Sequence, residues 1–279
     1  MDAAPAASPA PFDEIATLAV DGQLLRYAQR AGRDGGPPLL LCNGIGANLE
    51  LLAPFVAALA DRTVITFDVP GVGGSPAPLL PYRLGHIAAL ADGLTRRLGH
   101  AGPVDLLGIS WGGALAQQFA RDRPERCRRL VLAATSCGVF MVPGRLSVLS
   151  KLASPRRYHD PLYLRRVAPE IYGGAFRRDR ALIDRHAPHI EPPQSRGYLY
   201  QLGAVWGWTS LPWLHRLRQP TLVLAGSQDP IVPPVNARIL AHLIPRARLQ
   251  TIEDGHLFIV TSAPETAASV ASFLAAADE

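Results

Sequence analysis

The sequence predicts an α/β fold in which helices cover both faces of a mostly parallel central sheet and an inserted cap interrupts the chain. Three observations support this prediction. Apolar runs suited to buried strands alternate with helical runs along most of the chain. The alternation stops near Gly138 and resumes after Arg218. A Gly-x-Ser-x-Gly turn joins one buried strand directly to a helix.

The length and composition favour one core with an insertion. The chain has 279 residues, of which 48% are hydrophobic, enough to fill a large core. The expected organisation is a disordered Ala/Pro-rich tail at residues 1–13, a core at 14–137 and 219–279, and a cap at 138–218. The tail lacks the basic start and unbroken apolar segment of a secretory signal. No stretch approaches the roughly 20 apolar residues that cross a bilayer, so we expect no transmembrane segment.

Charge and cysteine content argue against several classes of protein. The net charge is +5, but 23 acidic residues are mixed among 28 basic ones, so no nucleic-acid surface is predicted. Three cysteines form neither a disulfide framework nor a metal-ligand pattern: Cys42, Cys127 and Cys137. We interpret them as small core residues of a protein in a reducing compartment.

One histidine-rich segment could in principle form a metal site. His186, His189 and Glu191 lie close enough in sequence to be ligands. The prolines at positions 188, 192 and 193 break the helix that would align them. The sequence therefore predicts no metal.

The first predicted strands are antiparallel and the later ones parallel. Residues 14–20 and 23–29 flank Asp21-Gly22, a strong hairpin signal. Residues 39–42 form a continuous apolar run typical of a strand buried on both faces. Further strands are predicted at 63–67, 104–109, 129–134, 221–225 and 248–252, and helices at 51–60, 84–98, 235–243 and 265–275. Strands that alternate with helices imply right-handed crossovers and a mostly parallel sheet.

Ser110 is the candidate nucleophile. It follows the strand at 104–109 and precedes a helical run, as a nucleophile elbow requires. Side chains in place of Gly108 and Gly112 would collide with the neighbouring strand or helix. A hydroxyl held at a helix N-terminus is accessible to an ester carbonyl and can pass its proton to a base. The competing interpretation is a buried serine in a tight turn.

The base and the acid that would activate Ser110 are expected after other parallel strands, because reactive groups in open α/β sheets lie beyond the carboxyl ends of the strands. Asp229 follows the strand at 221–225, and His256 follows the strand at 248–252. The chain order serine, acid, histidine is that of the α/β-hydrolase triad. We expect His256 to act as general base and Asp229 to orient its imidazole. The competing acid, Asp254, is interpreted as serving its own loop.

Two backbone N–H groups are expected to form an oxyanion hole. One belongs to Trp111, directly after the nucleophile, and the other to Ile45 in the loop after the strand at 39–42. Asn43 and Gly44 begin this loop and are expected to support it. Asp68 is interpreted as a loop brace.

Six phrases of the sequence carry a family resemblance: residues 43–51, 67–75, 108–120, 154–158, 171–179 and 254–258. They resemble those of the α/β-hydrolase superfamily and, within it, the intracellular medium-chain-length polyhydroxyalkanoate depolymerases. Enzymes that catalyse many different reactions share the superfamily motifs. The inference about substrate therefore rests on the matching segments in the predicted cap.

The resemblance implies a cytoplasmic serine hydrolase associated with polyhydroxyalkanoate granules. Its implied substrate is the hydrophobic storage polyester, cleaved to (R)-3-hydroxyalkanoic acids or oligomers through an acyl-enzyme on Ser110, without a cofactor. The alternatives are a general carboxylesterase or lipase acting on medium-chain acyl esters, and a non-catalytic granule- or ligand-binding module.

The predicted cap leaves two further questions open. We expect some of its aromatic residues to form a small core within the cap and others to line a binding site. Its arginine pairs are expected to be solvated, with docking on a negatively charged granule as the alternative. These pairs are Arg156-Arg157, Arg165-Arg166 and Arg177-Arg178.

Overall fold

The computed structural model of the chain describes residues 11–59, 61–154, 156–186, 192 and 194–277. Within them, eight strands form one sheet: β1 (Glu14–Val20), β2 (Gln23–Arg30), β3 (Leu39–Cys42), β4 (Val64–Phe67), β5 (Val104–Ile109), β6 (Cys127–Ala133), β7 (Thr221–Gly226) and β8 (Ala247–Ile252). Their order across the sheet is β1-β2-β4-β3-β5-β6-β7-β8. Strand β2 pairs antiparallel with β1 and β4, and the remaining pairs are parallel. The predicted α/β fold is confirmed.

The central position of β3 explains its uniformly apolar sequence. Leu40 pairs with Ile65 of β4 on one side and with Leu106 of β5 on the other. All four residues of the strand are buried, because helices cover both faces of the sheet at this point.

Helices pack on the two faces of the sheet in separate layers. One layer contains α2 (Leu84–Arg97), α3 (Trp111–Asp122) and α10 (Val235–Leu243). The other contains α1 (Ala53–Ala58), α11 (Phe258–Thr261) and α12 (Ala263–Ala275). Successive side chains of a strand point to opposite faces, so Leu106 packs in the first layer and Leu107 in the second.

The helix predicted at 51–60 is divided. A 3₁₀ turn, Leu49–Leu52, precedes α1, and Pro54 lies in the first turn of α1. Proline is tolerated there because its missing N–H has no intrahelical acceptor. Further 3₁₀ turns occupy Pro124–Arg126 and Leu211–Arg216.

Between β6 and β7 the described residues form six α-helices, called here the helical insertion (residues 146–205). They are α4 (Leu146–Ala153), α5 (Arg156–His159), α6 (Pro161–Tyr172), α7 (Gly174–Arg178), α8 (Ala181–His186) and α9 (Ser195–Val205). An isolated antiparallel bridge between Gly138 and Thr209 joins the chain before the insertion to the chain after it. Ile231, from the loop after β7, packs against Val148 and Ile171 of the insertion.

Parts of the expected tail and of the histidine-rich segment lie outside the described residues. Residues 1–10 of the expected tail lie outside the described residues, whereas Phe12 is 8% exposed and packs in the core. His189 and Glu191 also lie outside them. In the part of the chain that is described, no group of three His, Cys, Asp or Glu side chains is arranged to hold a metal ion.

The three cysteines are buried. Cys42, Cys127 and Cys137 are buried free thiols, and burial raises the pKa of Cys42 to about 12. No helix among the described residues combines the length and hydropathy needed to span a membrane.

Candidate active site

Ser110 stands at a strained turn between β5 and α3. Its φ is 53° and its ψ is −115°, a region that costs a non-glycine residue about 1–3 kcal/mol. The turn is tight enough to require both flanking glycines. A Cβ on Gly108 would lie 2.2 Å from the carbonyl oxygen of Gly112, and a Cβ on Gly112 would lie 2.0 Å from that of Cys42.

The neighbouring strand β6 holds the turn in this conformation. The Ser110 N–H donates to the carbonyl of Ala133 at 2.9 Å. The Thr135 hydroxyl donates to the carbonyl of Ser110 at 2.7 Å. Both backbone groups of Ser110 are thereby satisfied, which offsets the strain and fixes the position of its side chain.

Asp229 and His256, which the sequence places 27 residues apart, meet in a buried hydrogen bond. Asp229 Oδ2 lies 2.7 Å from His256 Nδ1. The second carboxylate oxygen, Oδ1, accepts the N–H groups of Ile231 and Val232, both at 2.9 Å. Because Nδ1 is engaged by the carboxylate, Nε2 is the ring nitrogen left for proton exchange. Ser110 and His256 line one cavity.

Asp254, the competing acid, is occupied by its own loop. It accepts hydrogen bonds from the N–H groups of Ala175 and Gly255, at 2.6 and 2.7 Å, and from the hydroxyls of Thr261 and Ser262, at 2.6 and 2.7 Å. Burial raises the pKa of Asp254, but these hydrogen bonds outweigh burial and leave the pKa below its ordinary value of 3.8. Its carboxylate therefore braces the loop that carries His256.

The helical insertion supports the same loop from the other side. The His256 N–H donates to the carbonyl of Tyr172 at 2.8 Å. Gly174 has φ +46°, and a Cβ there would lie 1.9 Å from the Gly255 nitrogen. Gly173 and Gly174 belong to the segment at 171–179. They permit direct contact between the insertion and the loop after β8 that carries His256, called here the histidine loop.

The loop after β3 is closed by Asn43. Its Nδ2 donates to the carbonyl of Asn48 at 2.8 Å, and its Oδ1 accepts the Gly44 N–H at 2.8 Å. A Cβ on Gly44 would lie 3.8 Å from the Cβ of Ser110, so this glycine leaves the space beside the serine open.

The two expected oxyanion donors both lack a protein acceptor. In the described part of the chain, the backbone N–H groups of Ile45 and Trp111 donate to no protein group. Trp111 is the first residue of α3, where N–H groups have no intrahelical partner and attract negative charge. Two N–H groups are therefore free to bind a developing oxyanion.

Asp68 braces the loop after β3, as the sequence predicted. The buried carboxylate accepts the N–H groups of Leu49 and Gly74 at 2.8 and 2.9 Å and pairs with Arg26 at 3.0 Å.

Sequence reasoning missed Gln201, which lies on α9 and links the insertion to both sides of the site. Its Oε1 accepts the Gly46 N–H at 2.8 Å, next to Ile45. The backbone carbonyl of Gln201 accepts a hydrogen bond from the indole N–H of Trp111, also at 2.8 Å. A glutamine in an ordinary helical segment carries no local signal of such a role.

The cavity over Ser110 has a volume of about 100 Å³ and a mostly apolar wall. The loop after β3, the histidine loop and the insertion all contribute to it. Tyr158 and Tyr172 line it, whereas Phe176 packs in a small core of the insertion, so the aromatic residues divide between the two expected roles.

The expectation that the arginine pairs are solvated is wrong at Arg157. Arg156 is exposed and pairs with Asp160 at 2.9 Å, one helical turn away. Arg157 is 5% exposed and lines the cavity. Consecutive residues of a helix point about 100° apart, so one member of a pair can face solvent while the other faces inward.

Comparison with known proteins gives consistent matches. The family model described as alpha/beta hydrolase fold matches residues 37–263. A poly(3-hydroxyalkanoate) depolymerase of Ectopseudomonas oleovorans is 53% identical over 259 residues, covering 92% of this chain and 91% of the relative. The 3-oxoadipate enol-lactonase 2 of Acinetobacter baylyi is 25% identical, covering 86% and 89%.

Solved structures agree on the fold. A hydrolase from Pseudomonas aeruginosa PA01 superposes with a TM-score of 0.78 at 26% identity and covers 95% of this chain and 99% of its own. The enol-lactonase of Burkholderia xenovorans LB400 superposes with a TM-score of 0.80 at 24% identity, covering 94% and 100%.

Proposed function

Because the chain belongs to the alpha/beta hydrolase family, we propose that it is a serine esterase that depolymerises a medium-chain-length poly(3-hydroxyalkanoate). The observation that carries this proposal is the 53% identity, over 92% of the chain, to a poly(3-hydroxyalkanoate) depolymerase. The hydrogen-bonded Asp229 and His256, in a cavity shared with Ser110, supply the groups that ester hydrolysis needs.

In the proposed reaction, Ser110 Oγ attacks the ester carbonyl and His256 Nε2 accepts the hydroxyl proton. Asp229 holds the imidazole and stabilises its positive charge. The N–H groups of Ile45 and Trp111 bind the oxyanion, each contributing about 10²–10³-fold to the rate. His256 then protonates the leaving hydroxyl, and water activated by the same imidazole hydrolyses the acyl-enzyme. These steps use no metal or organic cofactor.

The helical insertion acts in this proposal as the cap that encloses the acyl chain. The apolar side chains of Leu52, Leu152, Leu257 and Val260 line the cavity and suit an alkyl substituent. At about 100 Å³ the cavity is smaller than ordinary ligand pockets, which measure about 300–1,000 Å³. We therefore propose that the insertion shifts away from the core when substrate enters.

We further propose that the enzyme works in the cytoplasm at the surface of polyester granules. Leu79 and Trp206 are each 89% exposed and Leu80 is 77% exposed. Leu80 and Trp206 line the same open groove, beside α9 of the insertion. Large exposed apolar side chains grouped in this way are typical of interaction surfaces.

Granule docking is tested by replacing Leu80 and Trp206 with serine. The double variant should sediment less with granules and retain wild-type hydrolysis of p-nitrophenyl octanoate. Leu249→Ser, on β8 and also partly exposed, is the matched control. Unchanged sedimentation of the double variant would exclude this docking surface.

Substrate class is tested by comparing rates on medium-chain polymer granules, short-chain polymer and soluble p-nitrophenyl esters. We expect the medium-chain polymer to be degraded and Ser110→Ala to be inactive on all three. Activity confined to soluble esters would instead identify a general carboxylesterase. Polymer binding without any hydrolysis would identify a binding module.

A further inference from the structure

Arg157 is a buried positive charge in the wall of the cavity that contains Ser110. It is 5% exposed. Its guanidinium donates to the carbonyl of Leu152 and to the hydroxyl of Tyr158, both at 2.5 Å, and the Tyr198 hydroxyl lies 3.4 Å from it. Among the described residues no carboxylate pairs with Arg157, and its Nε has no hydrogen-bond partner.

Two other buried arginines of this protein have carboxylate partners. Arg62 pairs with Asp105 at 2.5 Å, and Arg126 pairs with Asp92 at 2.6 Å. An uncompensated buried charge costs several kcal/mol, so a buried arginine without a carboxylate partner needs an explanation. Arg157 differs from Arg62 and Arg126 in lining the catalytic cavity.

Aromatic rings hold the guanidinium without neutralising it. The guanidinium carbon of Arg157 lies 4.4 Å from the centre of the Tyr158 ring and 6.0 Å from that of Tyr198. Cation–π contacts of this kind offset part of the desolvation. The neutral hydroxyls and rings leave the positive charge available to an anion.

Tyr158 also places Arg157 beside the loop after β3, called here the oxyanion loop because it carries the Ile45 N–H. A Cβ on Gly46 would lie 2.5 Å from the Tyr158 hydroxyl. Gly46 follows Ile45, one of the two candidate oxyanion donors. An anion bound by Arg157 would therefore share the cavity with the ester under attack.

We propose that Arg157 binds the free carboxylate at the end of a 3-hydroxyalkanoate chain and directs cleavage to the ester nearest that end. This inference rests on the proposed function. A planar guanidinium that has no carboxylate partner is suited to bind a carboxylate. In a polyester of hydroxy acids the carboxylate occurs at one chain end, and the internal units are neutral esters.

The resulting step releases a short acid from the carboxyl end. The Ser110 oxygen bonds to the carbonyl carbon of the penultimate unit, and the bond from that carbon to the ester oxygen of the terminal unit breaks. The proton that His256 took from Ser110 passes to this oxygen, so a 3-hydroxy acid leaves with its carboxylate on Arg157. Water then frees the shortened chain from Ser110.

The test uses two dimers of 3-hydroxyoctanoate that differ at one end. One carries the free carboxylate and the other a terminal carboxamide, so the same ester is cleaved in both. Since a hydrogen bond to a charged group contributes about 1.5–3 kcal/mol, kcat/KM for the acid should exceed that for the amide by about 10–100-fold. Equal values in the wild-type enzyme would overturn the proposal.

Variants assign the preference to Arg157. Arg157→Gln should reduce the acid-to-amide ratio at least about tenfold, and Arg157→Lys should restore part of it by returning the charge without the planar fork. Arg156→Gln, the neighbouring exposed arginine, should keep the wild-type ratio. A purely structural role would lower both rates together and leave the ratio unchanged, which would overturn the proposal.

Product inhibition separates this proposal from the proposed function. If the wild-type enzyme cleaved p-nitrophenyl octanoate but neither dimer nor polymer, the depolymerase function would be wrong. Inhibition of p-nitrophenyl octanoate hydrolysis by 3-hydroxyoctanoate, compared with 3-hydroxyoctanamide, would still test Arg157. Stronger inhibition by the acid supports a carboxylate site, and equal inhibition overturns it. This comparison needs no variant, so it stands even if Arg157→Gln fails to fold.

Discussion

The sheet core and the helical insertion build the candidate site in different ways. In the core, Ser110, Asp229 and His256 each lie in the loop or turn after a parallel strand, so the carboxyl ends of β5, β7 and β8 position them. In the insertion, the contributing groups come from separate short helices. In the proposed function, this contrast assigns the geometry of the reaction to the core and the choice of ester to the insertion.

The two regions also differ in how they are anchored. The turn at Ser110 is held by two hydrogen bonds to the end of β6 and the residues after it. The insertion is attached near the site through Gln201 and the segment from Tyr172 to Gly174. A change at these attachments should therefore affect activity as well as stability.

The largest effect is expected from the core. Ser110→Ala removes the nucleophile and should lower kcat by about 10⁴-fold or more, with a thermal unfolding midpoint close to that of the wild type. Sedimentation with granules should persist, because the exposed apolar groove is untouched. Hydrolysis is measured with p-nitrophenyl octanoate and polymer. Substantial residual activity in a homogeneous preparation would refute Ser110 as nucleophile.

Gly174→Ala tests the contact between insertion and histidine loop. The new Cβ would collide with the Gly255 nitrogen in a backbone conformation that favours glycine, so we expect a loss of about 3 kcal/mol in the free energy of unfolding. Gly203→Ala is the control, since nothing lies within 4 Å of its added Cβ in α9. The control should gain about 0.5–1 kcal/mol. Both are measured by urea denaturation, and equal effects would contradict the close contact.

Gln201→Met tests the link between the insertion and the oxyanion loop. It keeps the side-chain length but leaves the Gly46 N–H without its acceptor, so we expect kcat to fall about tenfold from a loss of about 1–2 kcal/mol. Arg196→Ala, an exposed change on the same helix, should keep wild-type kcat. A folded Gln201→Met variant with full activity would show that the insertion does not position this loop.

The smallest effect is expected from Asp254 and depends on pH. Its pKa in the folded protein lies below 3.8, so the carboxylate stabilises the fold above about pH 4, and this contribution is lost as pH falls through the folded pKa. Asp254→Asn should therefore be about 1 kcal/mol less stable near pH 6 and should lose less further stability on acidification. An unchanged acid slope in Asp254→Asn would contradict this role.

Most of the core was predictable from local patterns. The first hairpin and β3 follow from Asp21-Gly22 and from a four-residue apolar run, because these patterns depend on the strand and its immediate turn. The loop positions of Asp229 and His256 follow from the polarity of parallel strands. Element ends differ by a few residues where a proline lies in the first turn of a helix, as at Pro54 and Pro264.

The insertion was far less predictable. One of its helices, α6, contains Pro169 in its interior, where a proline argues against a helix. The packing of these helices depends on contacts distant in sequence. Arg157 lies in a basic pair that is typical of a solvated surface, yet the Tyr198 hydroxyl, 41 residues later, lies against it in the interior. Gln201 likewise acts on Gly46 from 155 residues away. Such contacts leave no local pattern.

Trapping the acyl-enzyme tests most directly the claim that the core performs the chemistry. Wild-type protein mixed with p-nitrophenyl octanoate, quenched in acid and digested, should carry an octanoyl group on the peptide that contains Ser110, and Ser110→Ala should carry none. An octanoyl group on another residue, or steady hydrolysis in Ser110→Ala, would contradict the proposed mechanism.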